Sequence, residues 1–237
     1  MANLRVDKIT STETFEKTGS VQFNGTDSNL ELASGQIISG TGFGTNDFTV
    51  EFWLLPEENP TNYTVLLSLT ASTASDRFEV AYHSSTIHVY TDTASWRDTG
   101  IAPDKKTWHH IAFVRNYSDG SLIMYVDGKN KWQVSNERDY DEVFTAQIGS
   151  YDSGSFGYLQ GFISNLRILN GTALYTANFK PPMKELEVTP DTVLLCCQSK
   201  TSVTLEKTGK TITTNGSPAA SELTPGILTP IVKSGGG

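Results

Sequence analysis

From residue 20 onward apolar and polar positions alternate with a period of two, and no window of eleven or more residues carries a helical stripe. In DFTVEFWLLP (47–56), Phe48, Val50, Phe52 and Leu54 share one face while Thr49, Glu51, Trp53 and Leu55 share the other. In WHHIAFVR (108–115), Trp108, His110, Ala112 and Val114 alternate with His109, Ile111, Phe113 and Arg115. Both phrases carry bulk on two faces, which predicts central strands of a packed sandwich. Further strand phrases are SVQFNGTDSNLEL (20–32), SLIMYVDGK (121–129), AQIGS (146–150), GFISNLRIL (161–169) and ALYTANFKPP (173–182). Asp127-Gly128 predicts a two-residue hairpin pairing 121–126 with about 130–135, because both turn positions need positive φ. Asn24-Gly25, Ser34-Gly35, Asp119-Gly120, Asn170-Gly171 and Asn215-Gly216 are further turn signals. Polar connections fall at 56–62, 70–76, 91–106 and 135–145, where a binding surface would vary.

The ends read differently. The segments 10–25 and 201–216 share Glu-Lys-Thr-Gly within alternating patterns. That echo is either chance in a Thr-rich chain or a sign that the two ends form similar hairpins side by side, closing the sandwich. After residue 217, three prolines and a glycine-rich end forbid a central strand. The expected organisation is an N-terminal arm or hairpin (1–19), a sandwich (20–217, with closing strands at about 192–214) and a flexible C-terminal arm (218–237).

At 237 residues, with 37% hydrophobic and 10% aromatic content, the chain can bury the core of one such domain. The net charge of −8 and the absence of any basic run argue against nucleic acid, whose phosphates require clustered Lys and Arg. No apolar stretch reaches the length of a membrane-spanning helix, so membrane insertion is not expected, and the N-terminus lacks the apolar centre of a signal peptide. That suggests synthesis in a cytoplasm. The only cysteines, Cys196 and Cys197, are adjacent and read as two reduced thiols, at least one buried.

In their order, these phrases resemble the laminin-G-like branch of the concanavalin A-like lectin/glucanase superfamily. The resemblance implies an all-β fold: an antiparallel two-sheet sandwich (jelly roll) with extended terminal arms. Glucanases of this superfamily place acidic residues at i, i+2 and i+4 of one strand. Here Glu51 is followed by Trp53 and Leu55, Glu79 is alone in its phrase, and Glu137, Asp139, Asp141 and Glu142 fall in a loop. The two carboxylates that glycoside hydrolysis requires are therefore not expected to converge. No Gly-x-Ser-x-Gly elbow occurs, and His83, His88, His109 and His110 have no nucleophile phrase nearby. Trp-x-His-x-Ala is a packing phrase in such domains, so His110 is expected as a hydrogen-bonded core imidazole, with His109 and Arg115 flanking an outward surface.

Many relatives hold one calcium at the sandwich rim through oxygen ligands. The candidate ligands here are Asp27, Asn29 and Asp152. Glycan binding draws on aromatic faces in loops, and the candidates are Trp96, Tyr140, Tyr151, Phe156 and Tyr158. Trp53, Trp108 and Trp132 belong to strand patterns and are read as structural.

The flanks carry a second resemblance. The start ANLRVDKITSTETFEKTGSVQFNG and the late run from ALYTANFKPP to TITTNGSPAAS are similar to virion proteins of marine tailed bacteriophages. This resemblance implies a non-enzymatic protein of the virion surface, a capsid decoration or a tail-fibre adhesin module. Its implied partners are other capsid or tail proteins, copies of itself in a homo-oligomer, and host cell-surface carbohydrate. The alternatives are a free-standing carbohydrate-binding lectin module and, further off, a glycoside hydrolase.

Overall fold

The computed structural model describes residues 14–38, 42–60, 62–71, 77–91, 95–142, 144–150 and 156–231. Among these residues all regular structure is β. The strands are β1 (Thr14–Lys17), β2 (Ser20–Asn24), β3 (Asn29–Leu32), β4 (Phe48–Pro56), β5 (Thr64–Ala71), β6 (Arg77–His83), β7 (Thr86–Tyr90), β8 (Arg97–Asp98) and β9 (His109–Asn116). They continue as β10 (Ser121–Val126), β11 (Lys129–Ser135), β12 (Phe144–Ile148), β13 (Gln160–Asn170), β14 (Thr192–Cys196), β15 (Thr213–Asn215), β16 (Ala219–Ser221) and β17 (Leu228–Ile231).

Two antiparallel sheets face one another. The first runs β11-β10-β9-β4-β13-β2-β16 with β14 also on β13, and the second runs β15-β3-β12-β5-β6-β7-β8. The alternation dictates what lies between them. Phe48, Val50, Phe52 and Leu54 of β4 meet Phe78, Val80 and Tyr82 of β6 in one buried cluster. Phe48 stacks on Phe43 at 4.3 Å and meets Phe78 edge-on at 5.3 Å, joining the two layers.

The β10–β11 hairpin forms at the expected turn, with Asp127 at φ 50° and Gly128 at φ 71°. Gly128 has a second reason to be glycine, since a Cβ there would lie 2.0 Å from the Phe179 carbonyl oxygen. Cys196 and Cys197 are both buried as free thiols, and the hydrogen bond with Cys197 together with burial pushes the Cys196 thiol up.

Among the described residues the two end segments do not form matched hairpins. β1 pairs with β17 rather than β2, while β15 and β16 add single edge strands to β3 and β2. The second Glu-Lys-Thr-Gly is a turn in which the Glu206 carboxylate accepts from the amides of Leu195, Thr208 and Lys210. Of the segment after 217, expected as a free arm, β16 pairs with β2, β17 pairs with β1, and Ile227 between them is fully buried, while residues 232–237 lie outside the described residues. Pro218 and Pro225 fall between strands, and Pro230 sits in an isolated two-stranded pair, where a missing donor is tolerated.

Candidate functional site

The outer face of the first sheet is closed by the chain itself. After β13, residues 171–187 cross it, and Tyr175 and Phe179 stack at 3.5 Å over His110 and Tyr125. Thr49 Oγ1 donates to the Thr172 carbonyl, and Phe179 N–H donates to the Gly128 carbonyl. Beneath the cover lies Glu51, fully buried. Its Oε1 accepts from Arg167 Nε at 2.8 Å, and its Oε2 accepts from the Tyr175 hydroxyl at 2.7 Å and lies 3.2 Å from His110 Nε2. Burial pushes the Glu51 carboxyl up, but the His110 hydrogen bond and the Arg167 charge outweigh it and hold the group below its ordinary value. Burial and the Glu51 carboxylate drive the Tyr175 phenol up. This cluster has the acid and base types of a catalytic site, yet it is sealed, and its role is to bolt the covering segment down.

The outer face of the second sheet is polar in composition, and Tyr90, Glu79, Ser68 and Gln147 on it are buried. Strand register aligns one row across it: Tyr90, Glu79, Ser68, Gln147, Glu31 and Thr213. Glu79 and Glu31 stand three strand spacings apart, about 14 Å at the usual ~4.8 Å per strand. That exceeds the ~5–9.5 Å over which a carboxylate pair performs glycoside hydrolysis. Glu79 is itself buried, accepting from Ser68 Oγ at 3.0 Å, with Arg77 Nη1 3.5 Å from its other oxygen. Burial raises its carboxyl, and the Arg77 charge only partly offsets this.

At the β6–β7 end of this face, rings gather. Tyr63 stacks on His83 at 4.2 Å and 9° and on Trp96 at 5.2 Å and 25°. Trp96 also meets Tyr90 at 5.7 Å and Phe156 at 6.3 Å, and His88 packs edge-on against Tyr63. Parity explains the histidines: in the β6–β7 hairpin Tyr82 pairs with Ile87 inside the core, so His83 and His88 fall on the outer face. Burial lowers the His88 imidazole, despite the opposing pull of Asp98.

Beside the rings opens a cleft of about 260 Å³ walled by residues 58–60, Asn62 and Thr64 on one segment and 157–160 on the other. Its walls are pinned by backbone bonds: Gly157 N–H to the Tyr63 carbonyl, Glu57 N–H to the Gln160 carbonyl and Ser84 N–H to the Pro60 carbonyl.

The residues singled out from sequence distribute unevenly. Trp96 and Phe156 join the ring cluster, and Tyr158 lines the cleft. Tyr140 does not belong at a binding surface. It is fully buried against Phe43, Phe48 and Phe144, and its hydroxyl donates to the Thr91 carbonyl. Tyr151 and Asp152 lie outside the described residues.

Asp27 stays at an exposed turn, where its Oδ1 accepts from Asn24 Nδ2 and the Ser217 amide. Asn29 is buried and accepts from Asn215 Nδ2, an internal ladder contact. Among the described residues no three His, Cys, Asp or Glu side chains converge as for a metal ion. Arg115, expected at an outward surface, is fully buried and donates to the carbonyls of Gly44, Asn46 and Arg138. Tyr63, His83 and His88 were not singled out as a group. The outward parity of both histidines across the Ser84-Ser85 turn was the signal available for them.

A laminin G family model, described as the concanavalin A-like lectin/glucanases superfamily, matches residues 24–176. No curated protein matches the chain significantly. Among solved structures it is similar to a protein of Bacteroides ovatus provisionally described as carbohydrate binding, with TM-score 0.64, 15% identity and 87% of this chain covered, and it spans 60% of that protein's length. It is also similar to a heptameric SAP-like pentraxin of Limulus polyphemus, with TM-score 0.62, 13% identity and coverage of 89% of this chain and 97% of the other. A third is domain 4 of a GH43 extracellular arabinanase of Geobacillus stearothermophilus, solved with arabinotriose, with TM-score 0.50, 20% identity and coverage of 73% and 82%.

Proposed function

The chain belongs to the concanavalin A-like lectin/glucanases superfamily, and on that premise we propose that it is a carbohydrate-recognition module without hydrolytic activity. The observation that carries this reading is the half-buried pair Trp96 and Phe156, held in place by Tyr63, at the end of the outer face of the second sheet. Sugars present C–H faces that pack on aromatic rings and hydroxyls that need fixed polar partners, and this end of the sheet supplies both. The ~14 Å between the Glu79 and Glu31 positions supports binding over hydrolysis. The glycan-bound arabinanase domain and the Bacteroides ovatus protein are consistent with the same use of the fold.

An array of immobilised glycans tests this. The expected result is selective retention of the wild-type protein and loss of most of that retention in Trp96→Ala, with the fold intact by circular dichroism. Wild-type protein that retains no glycan at any density would overturn the reading.

A second proposal concerns where the module works. The flank resemblance supports display on the surface of a tailed phage particle, as capsid decoration or tail-fibre adhesin. There, repeated copies in a homo-oligomer would add avidity to weak sugar contacts on the host surface. Electron microscopy of native particles with an antibody against the chain should show label at a fixed head or tail position. Label found only in the unassembled fraction would rule that setting out.

A further inference from the structure

We propose that the cleft beside the ring cluster is a pocket for a single neutral sugar ring, so that the rings hold an extended glycan while the cleft reads its terminal residue. This rests on the carbohydrate reading above and deepens it.

One wall carries an internal polar group with nothing to do. Thr64 is 1% exposed, lines the cleft, and its Oγ1 has no hydrogen-bond partner. A buried hydroxyl left unpaired costs stability, so natural folds seldom keep one without a use. Gly157 keeps the space in front of it, because a Cβ at 157 would stand 2.8 Å from Thr64 Oγ1.

Tyr82, the strand partner of Thr64, also lines the cleft, and its hydroxyl donates to Asn59 Oδ1 at 2.8 Å. That bond fixes the side-chain amide and leaves its N–H groups as oriented donors. Glu58 adds an acceptor, Gln160 adds both roles, and Tyr158 adds a ring.

Size and charge narrow the ligand. About 260 Å³ lies below the roughly 300–1,000 Å³ of drug-sized sites, which suits one ring rather than a chain of them. Among the described residues no Lys, Arg or His lines the cleft, and Glu58, which does, pairs with Lys105 Nζ at 3.5 Å. Sialic acids, uronic acids and sulfated sugars would therefore meet a carboxylate and only a lysine already engaged by it. Neutral hexopyranosides and pentopyranosides fit, with amides and a hydroxyl to read their hydroxyl pattern.

The test is titration of the full chain with methyl glycosides of glucose, galactose, mannose, xylose and arabinose, and with sialic acid, following backbone amide resonances. At least one neutral glycoside should shift Thr64, Gly157 and Tyr158, and sialic acid should shift none of them. Thr64→Val should weaken that binding about three- to tenfold, the worth of one hydrogen bond. It should also leave the thermal midpoint unchanged or higher, since it deletes an unpaired buried hydroxyl; a merely structural threonine would behave the opposite way. Gln160→Ala, an exposed position, serves as the second variant and should weaken binding with no change in folding.

If glycans are retained through Trp96 while neither variant alters affinity, the pocket assignment is wrong and the carbohydrate reading stands. If no saccharide binds at all, both are wrong.

Discussion

His109 and Asp127 meet where β9 enters the β10–β11 hairpin, with Nδ1 and Oδ2 2.8 Å apart, and Asp127 Oδ1 also accepts the His110 amide. The Asp127 hydrogen bond raises the His109 imidazole in spite of its partial burial. Burial pushes Asp127 up, but the His109 bond wins and lowers it. A raised imidazole contributes stability that is complete below its ordinary 6.5 and lost as pH rises through the higher folded value. A lowered carboxyl contributes stability present above its ordinary 3.8 and lost as pH falls through the lower folded value. The charged bond is therefore whole between about 3.8 and 6.5. The stability difference between wild type and His109→Gln should peak in that window, at under about 1 kcal/mol because Asp127 is half exposed, and shrink by pH 9. Urea titrations at pH 5.5 and 9 check it; an equal difference at both would refute the assignment.

At this scale alternation revealed which face a residue occupies but not what lies over it. Arg115 and Tyr140 looked like surface groups because Arg is charged and Tyr140 falls in a polar run. The 42–48 and 136–140 segments fold back over that end of the core, and backbone carbonyls satisfy the guanidinium.

The element that closes the outer face of the first sheet is the 171–187 crossing. ALYTANFKPP (173–182) read as a strand, but it forms none and instead lies across the sheet through its rings. Its position over β4 and β9 was not legible, because the contacts that hold it there come from Thr49 and Glu51, more than 120 residues away in sequence. Glu51→Ala should be the most damaging polar substitution in the protein, at about 3–5 kcal/mol, because it leaves Arg167 buried without its carboxylate. Replacing both partners by apolar residues, Glu51→Leu with Arg167→Met, should recover much of that loss, since an uncompensated charge costs more than a missing pair. Denaturant midpoints compare the two directly. A single variant within 1 kcal/mol of wild type would show that the cover does not depend on this bolt.

Over the whole molecule most strands and the Asp127-Gly128 turn could be read from period and turn chemistry, because those signals are local, whereas the two-sheet sandwich was what the family resemblance implied and the strand order within the sheets was not legible. The site could be read only in fragments. Trp96, Phe156 and Tyr158 stood out as loop aromatics, while Tyr63, His83 and His88 became visible only once strand register brought residues 63, 83, 88 and 96 together. The C-terminal segment failed for a related reason: proline density argues against a central strand but says nothing about edges, and β16 and β17 are edges.

What unites these scales is an asymmetry. One outer face is bolted shut by the chain, and the other carries a polar, largely buried row that ends in half-buried rings beside a cleft. Mapping amide resonance changes during titration with the glycan best retained on the array tests that asymmetry most directly. Changes confined to residues 57–64, 83–88, 95–99 and 156–160 are the predicted result. Changes centred on 171–187 and β9–β11, or a saturable interaction that moves none of the ring-cluster amides, would contradict it.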